Sequence, residues 1–314
     1  MSFNDNVQLD TSQVRSGGGG GGGAPGGMVV GGGIGGIILL VIALIFGINP
    51  GSVTGGGTAP AGTQDQAQSG SGGNLGSECK TGADANRDVN CLVVATVNSV
   101  QAFWATELPK YSKQYTPVTT VLYSGQTQSQ CGTASNQVGP FYCPLDKKVY
   151  IDASFYQILH DQFGSSSGQL AEEYVIAHEY GHHIQDILGL LGEAQKNPQG
   201  ADSGSVRIEL MADCLAGVWA NHASSDAVGK DATTGKAITF LKPLTQQDIN
   251  DALSAAKSVG DDSIQKMSTG QVNPESWTHG SSAARQMWFT QGYKTGDLNK
   301  CDTLNAANPE TSVN

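Results

Sequence analysis

Apolar positions along this chain change character after the first quarter. From Met28 to Ile48 they are nearly continuous: 21 residues without a charge, a proline or a strongly polar side chain, centred on Ile37-Ile38-Leu39-Leu40-Val41-Ile42-Ala43-Leu44-Ile45-Phe46. A run of about 20 such residues, each rising ~1.5 Å, crosses a hydrocarbon core of roughly 30 Å. A cleaved signal peptide would start on a basic stretch and close at a small-x-small site. Here the preceding arm carries only Asp5, Asp10 and Arg15, and no clear site of that kind ends the run. A retained transmembrane helix over 28–48 is therefore expected, between a flexible glycine-rich arm (1–27) and a flexible stalk (49–76).

Beyond residue 76 the apolar positions become periodic. Val93, Val97, Val100, Phe103 and Trp104 recur at helical spacing and predict a helix from Leu92 to Lys110. The β-branched Val118–Tyr123 and the stretch Lys148–Ile151 predict strands. Helices are expected over Ala153–Phe163, over Leu170–Leu191 before Gly192, and over Ser203–His222 with Ser203 or Ser205 as the cap. Thr245 starts another, with Asp248 placed for a capping box, and the last spans Ser281–Tyr293. The expected fold is α+β and mostly helical, with a small β-sheet, over residues 77–314.

Composition sharpens the division. Of 43 glycines, 24 fall in the first 76 residues. With 17 basic against 28 acidic side chains the net charge is −11, which argues against nucleic acid as a partner, since such binding needs a basic face. All six cysteines follow the apolar run, and none forms a Cys-x-x-Cys pair. That usage suits disulfides in an oxidising compartment. Proximity in sequence suggests Cys79–Cys91 and Cys131–Cys143, leaving Cys214–Cys301, one of roughly 15 possible connectivities. An extracytoplasmic domain, with the N-terminus cytoplasmic and 28–48 in the bilayer of the cell membrane, follows from that expectation.

The chemistry concentrates in His178-Glu179-Tyr180-Gly181-His182. Histidines four residues apart on a helix lie about 40° apart on one face, so both imidazoles can reach one ion. Glu179 points to a neighbouring face, where it can act as general base on a water that zinc has made acidic. A third zinc ligand is needed. The histidine and glycine that a metzincin would carry downstream are replaced by Leu188 and Gln185, which excludes that class. Glu209, in the packed helix Arg207-Ile208-Glu209-Leu210-Met211-Ala212-Asp213, would complete a His₂Glu site. Asp213, one turn on, could fix a ligand histidine through its other ring nitrogen or serve as the alternative ligand. His183 points off the ligand face and reads as structural; His160 and His222 have no motif around them. Tyr150 and Tyr180 are possible hydrogen-bond donors, Tyr180 reading better as packing.

The segments Ala177–Gln185, Glu209–Gly217 and Thr278-His279-Gly280 with Arg285, in that order and with Gly139–Pro144 before them, resemble the neutral zinc metallopeptidase family of bacterial membrane-anchored proteins. The resemblance covers about residues 77–305. It implies a zincin-like domain akin to the gluzincins, one Zn²⁺ per chain, and a peptide or protein substrate. By likeness to membrane CAAX prenyl proteases, it also implies that His279 and Arg285 stabilise an oxyanion or orient substrate. The expectation is a membrane-anchored zinc metallopeptidase, more endopeptidase than exopeptidase: His178, His182 and Glu209 on the metal, Glu179 as base, and Lys148–Ile151 as the sheet edge along which a peptide lies. A zinc-stabilised, non-proteolytic interaction module at the cell surface is the alternative; a hydrolase of non-peptide amides would share the same metal chemistry.

Overall fold

The structure is a computed structural model and describes residues 2–17, 74–135 and 138–313. The first segment ends in strand β1 (Val14–Gly17). Short helices α1 (Leu75–Glu78) and α2 (Gly82–Ala85) lead into α3 (Val89–Glu107), where Asp88 caps the N-terminus by accepting from Asn90 and Cys91. Strands β2 (Thr119–Tyr123), β3 (Gln126–Ser129), β4 (Gly132–Ser135), β5 (Phe141–Cys143) and β6 (Lys148–Asp152) follow. Then come α4 (Ser154–Asp161), α5 (Gln169–Leu188), α6 (Gly192–Lys196) and α7 (Gly204–Ala223). A hairpin of β7 (Gly229–Lys230) and β8 (Ala237–Ile238) precedes α8 (Gln246–Ser258), α9 (Asp261–Thr269) and α10 (Ser282–Thr295). The mixed, mostly helical class agrees with the expectation. Ser203 caps α7 and the Thr245–Asp248 capping box is present.

The principal sheet has the order β1-β2-β6-β5; β1, β2 and β6 run parallel, and β5 pairs antiparallel to β6. This corrects the expectation that Lys148–Ile151 forms an edge. β6 is paired on both sides, and its buried Val149, Tyr150 and Ile151 are the apolar run of an interior strand. The edges fall to β1 and β5. Three disulfides join the pairs suggested by sequence proximity, Cys79–Cys91, Cys131–Cys143 and Cys214–Cys301.

Residues 2–17 correct a second expectation, since they are not a free arm. Phe3 and Val7 are fully buried, Leu9 and Val14 nearly so, and β1 extends the sheet in register with β2 (Val14 opposite Thr120, Gly17 opposite Tyr123). Asn4 N–H donates to Phe240 O and Gln8 N–H to Lys230 O, while Asn4 Nδ2 reaches Thr239. The wide spacing of these few apolar residues matches neither helix nor strand periodicity, and the polar stretches between them resemble a linker. The predicted span 28–48 and the stalk up to residue 73 lie outside the described residues. Asn74 caps α1, so the end of the predicted stalk belongs to the folded part.

Helices α5, α7 and α10 form the centre, with α3 against them. α7 and α10 touch backbone to backbone: a Cβ added at Gly292 would stand 1.9 Å from Cys214 O. No side chain fits there without separating the helices. Gly292→Ala should therefore destabilise the protein by at least about 1–3 kcal/mol, the usual cost of overpacking, measured as a lower midpoint in urea.

Candidate metal centre and active-site cleft

Two helices build the site. α5 presents His178, Glu179 and His182, and α7 crosses it with Glu209 and Asp213. The crossing is close because residue 181 is glycine: a Cβ there would meet Ala212 Cα at 3.0 Å. Glu209 thereby reaches both histidines, with Oε2 3.1 Å from His178 Nε2 and Oε1 3.4 Å from His182 Nε2. The three residues are buried, and one ligand atom from each lies within 4.8 Å of the others.

The far side of each imidazole is held. His178 Nδ1 donates to Asp213 Oδ1 at 2.8 Å, and His182 Nδ1 donates to Gln185 Oε1 at 2.9 Å. Gln185 in turn donates to Ile208 O, at 2.6 Å. Oxygen acceptors at Nδ1 orient both Nε2 atoms toward Glu209, the arrangement metal-binding histidines use. Glu209 Oε1 is buried without a hydrogen bond. Two imidazole nitrogens and an unsatisfied carboxylate oxygen are the donor set of a zinc site, and the residues fit that ion.

Burial dominates the electrostatics, and neighbouring charges decide the outcome. Burial disfavours the His178 imidazolium, but Asp213 and Glu209 outweigh it and raise the group to about 9. Burial takes His182 down to about 4. Burial would raise Glu209, yet the surrounding histidines hold it well below the carboxylate range. Glu179, with burial working against its charge and only partial relief from His178, is pushed up to about 8. Its Oε2 accepts the backbone N–H of Tyr142 at 2.9 Å, so strand β5 holds the carboxylate beside the candidate ligands.

Asp213 has no solvent exposure and is satisfied by cations and hydroxyls. Arg285 on α10 grips it with Nε at 2.9 Å and Nη2 at 3.0 Å, and the Tyr174 hydroxyl donates to the same carboxylate. Arg285 also donates to Tyr174 Oη and to Val259 O. His279 lines the same cavity, its Nδ1 3.3 Å from Asp261 Oδ1. Asp261 Oδ2 accepts three successive backbone N–H groups, from Thr278, His279 and Gly280, and so fixes the loop. The cavity, about 90 Å³, has an apolar wall of Phe155, Phe163, Val175 and Val259.

All seven residues singled out in the sequence thus converge: His178, Glu179, His182, Glu209, His279 and Arg285 line the cavity, and Asp213 stands behind His178. His183 bonds to Tyr142 and Thr116 O, Tyr150 to Asp146 and Tyr180 to Thr120, all away from the ligand set. His160 pairs with Asp161, and His222 with Asp226 and Gly296 O. Tyr174, Gln185, Asp261 and the Tyr142 N–H were missed. Tyr174 lies one turn before His178 on the same helix face, a spacing that could have found it; the others depend on contacts between distant segments.

With the geometry in hand, comparison with known proteins gives a consistent answer. Residues 2–304 match the family described as "Putative neutral zinc metallopeptidase". The uncharacterized protein Rv2575 of Mycobacterium tuberculosis and Mb2605 of Mycobacterium bovis are each 56% identical over 307 residues, 98% of this chain and 99% of theirs. The uncharacterized protein YpfJ of Escherichia coli is 38% identical over 218 residues, 68% of this chain and 69% of its own. No solved structure matches significantly.

Two outcomes test the framework of the site. Removing Arg285 leaves the Asp213 charge buried, so Arg285→Ala should cost roughly 3–5 kcal/mol in urea unfolding; a loss near zero would show that the pair is not needed. The Asp261 carboxyl is held below its ordinary 3.8 despite burial, through His279 and the backbone N–H groups. A depressed value contributes stability above the ordinary pKa and loses it as pH falls through the folded one. The stability gap between the native chain and Asp261→Asn should therefore narrow from about pH 5 to pH 2. A gap independent of pH would contradict this.

Proposed function

The chain belongs to the neutral zinc metallopeptidase family, and from that premise we propose that it is a zinc-dependent endopeptidase with a zincin-like domain. The observation that carries the reading is Glu179. It is a buried carboxylate lining the ligand cavity without belonging to the ligand set, which is where a general base is needed and where a structural metal site has no use for one. Zinc held by His178, His182 and Glu209 would supply Lewis-acid chemistry, polarising a carbonyl and making water more acidic.

The chain's own groups supply the remainder. Glu179 takes a proton from the attacking water as its oxygen adds to the peptide carbonyl, and returns it to the amine nitrogen as the C–N bond breaks. The Tyr142 N–H keeps the carboxylate aimed during both transfers. His279, tied through Nδ1 to Asp261, faces the cavity and would, as the doubly protonated imidazolium, donate from Nε2 to the carbonyl oxygen. Arg285 acts as a positioning residue, because Asp213, Tyr174 and Val259 already occupy its donors. That engagement argues against a carboxypeptidase, since Arg285 in the cavity wall is not free to bind a terminal carboxylate. An extended peptide would lie near β5, the strand that ends the sheet beside Glu179.

The interaction-module alternative needs a closed metal shell with Asp213 as fourth ligand. Both oxygens of Asp213 are taken up by Arg285, Tyr174 and His178 Nδ1, so this reading is the weaker. Three disulfides support an extracytoplasmic domain, and residues 28–48 are the segment proposed to meet lipid.

Glu179→Gln should keep about one zinc per chain and lose casein hydrolysis by at least roughly 100-fold, the low end for a general base. Glu209→Ala should lose the metal itself. Hydrolysis surviving in the first variant, or full zinc content in the second, would sink the corresponding assignment.

A further inference from the structure

Asn98 and Gln101 sit on the face of α3 that residues 10–13 cover. Asn98, almost wholly buried, accepts the Asp10 N–H at 2.7 Å and donates to Asp10 O at 2.9 Å and Gln13 Oε1 at 3.1 Å. Gln101 donates to the same Gln13 oxygen at 3.0 Å, while its own oxygen accepts from Tyr115 and Val118. A core helix does not place two buried amides on a face unless something satisfies them. The arm does so, adds a strand to the sheet and buries Phe3 and Val7. Asp5 meets Lys242 at 3.0 Å on the surface. Residues 2–17 are thus part of the domain.

This packing conflicts with one crossing of a membrane by residues 28–48. A single span puts residues 27 and 49 on opposite faces, yet the chain is part of the same folded body at residue 17 and again at residue 74. The return would fall to residues 49–73, which hold Pro50, Pro60, Gln64, Asp65, Gln66 and Gln68 among glycines and have no long apolar run. Such a stretch does not cross hydrocarbon, where backbone groups must be paired internally. Among the described residues the one helix long and apolar enough to cross is within Val89–Tyr111, and it is mostly buried in the core.

We propose that residues 2–17 and the peptidase domain lie on the same side of the membrane, so that the chain joining residue 17 to residue 74 makes no net crossing. The proposal does not depend on peptidase activity, and its test reads none.

The full chain, produced in a bacterium that forms its disulfides, is compared as two surface variants, Asp5→Cys and Lys242→Cys. Each is treated with a membrane-impermeant maleimide on intact cells and again after permeabilisation. Equal accessibility of the two thiols, in either condition, supports the proposal. Labelling of one in intact cells and of the other only after permeabilisation overturns it. The double variant Arg15→Cys/Val121→Cys gives a second reading. These residues face each other across the β1–β2 pair, and neighbouring strands, about 4.8 Å apart, suit a disulfide. Mass spectrometry of unreduced peptides from intact cells should find the 15–121 bridge; its absence, with the three native disulfides formed, would contradict docking of the arm in the whole chain.

Discussion

A carboxylate with no access to water governs this structure. Asp213 is charged and fully buried, and a charge so placed persists only if cations and donors surround it. Two helices supply them: Tyr174 and His178 from α5, and Arg285 from α10, meet at this one side chain of α7. Satisfying Asp213 therefore fixes the relative placement of the central helices. It also turns His178 so that Nε2 faces Glu209. Stability and ligand geometry share one contact.

The second imidazole is held by different means. Gln185 links His182 to Ile208 O, so a neutral amide performs for one imidazole what a carboxylate performs for the other. In the sequence Gln185 counted only as the position where a metzincin glycine is missing. In the structure it is the tether that orients His182 and ties α5 to the backbone of α7. The two anchoring schemes leave Glu209 between the rings with an unsatisfied oxygen, the point at which a bound cation would complete its pairing.

Legibility in the sequence followed the range of the interaction. The His-Glu-x-x-His spacing, the Ser203 and Thr245 caps and the short-range disulfides are set within a few turns of chain, and each was readable. Glu209 was readable because a carboxylate stood in an otherwise packed helix. The sheet order was not, since β6 becomes interior only when β5 and β2 arrive from either side. No motif surrounds Asp261 in the sequence; its role exists only once the 278–280 loop folds over it. The arm was the largest error. Its four buried apolar residues are spaced to fit pockets on other elements, a pattern without a period, and the glycine run beside it suggested slack.

The central claim is that His178, His182 and Glu209 hold one zinc ion while Asp213 supports from behind. Anomalous scattering at the zinc edge from crystals of the metal-loaded full chain tests it most directly. The account predicts one peak per chain, about 2.0–2.1 Å from both histidine Nε2 atoms and about 2.0–2.2 Å from a Glu209 oxygen, with Asp213 still on Arg285 and His178 Nδ1. A peak bound by Asp213, or no peak between the two helices, would contradict it.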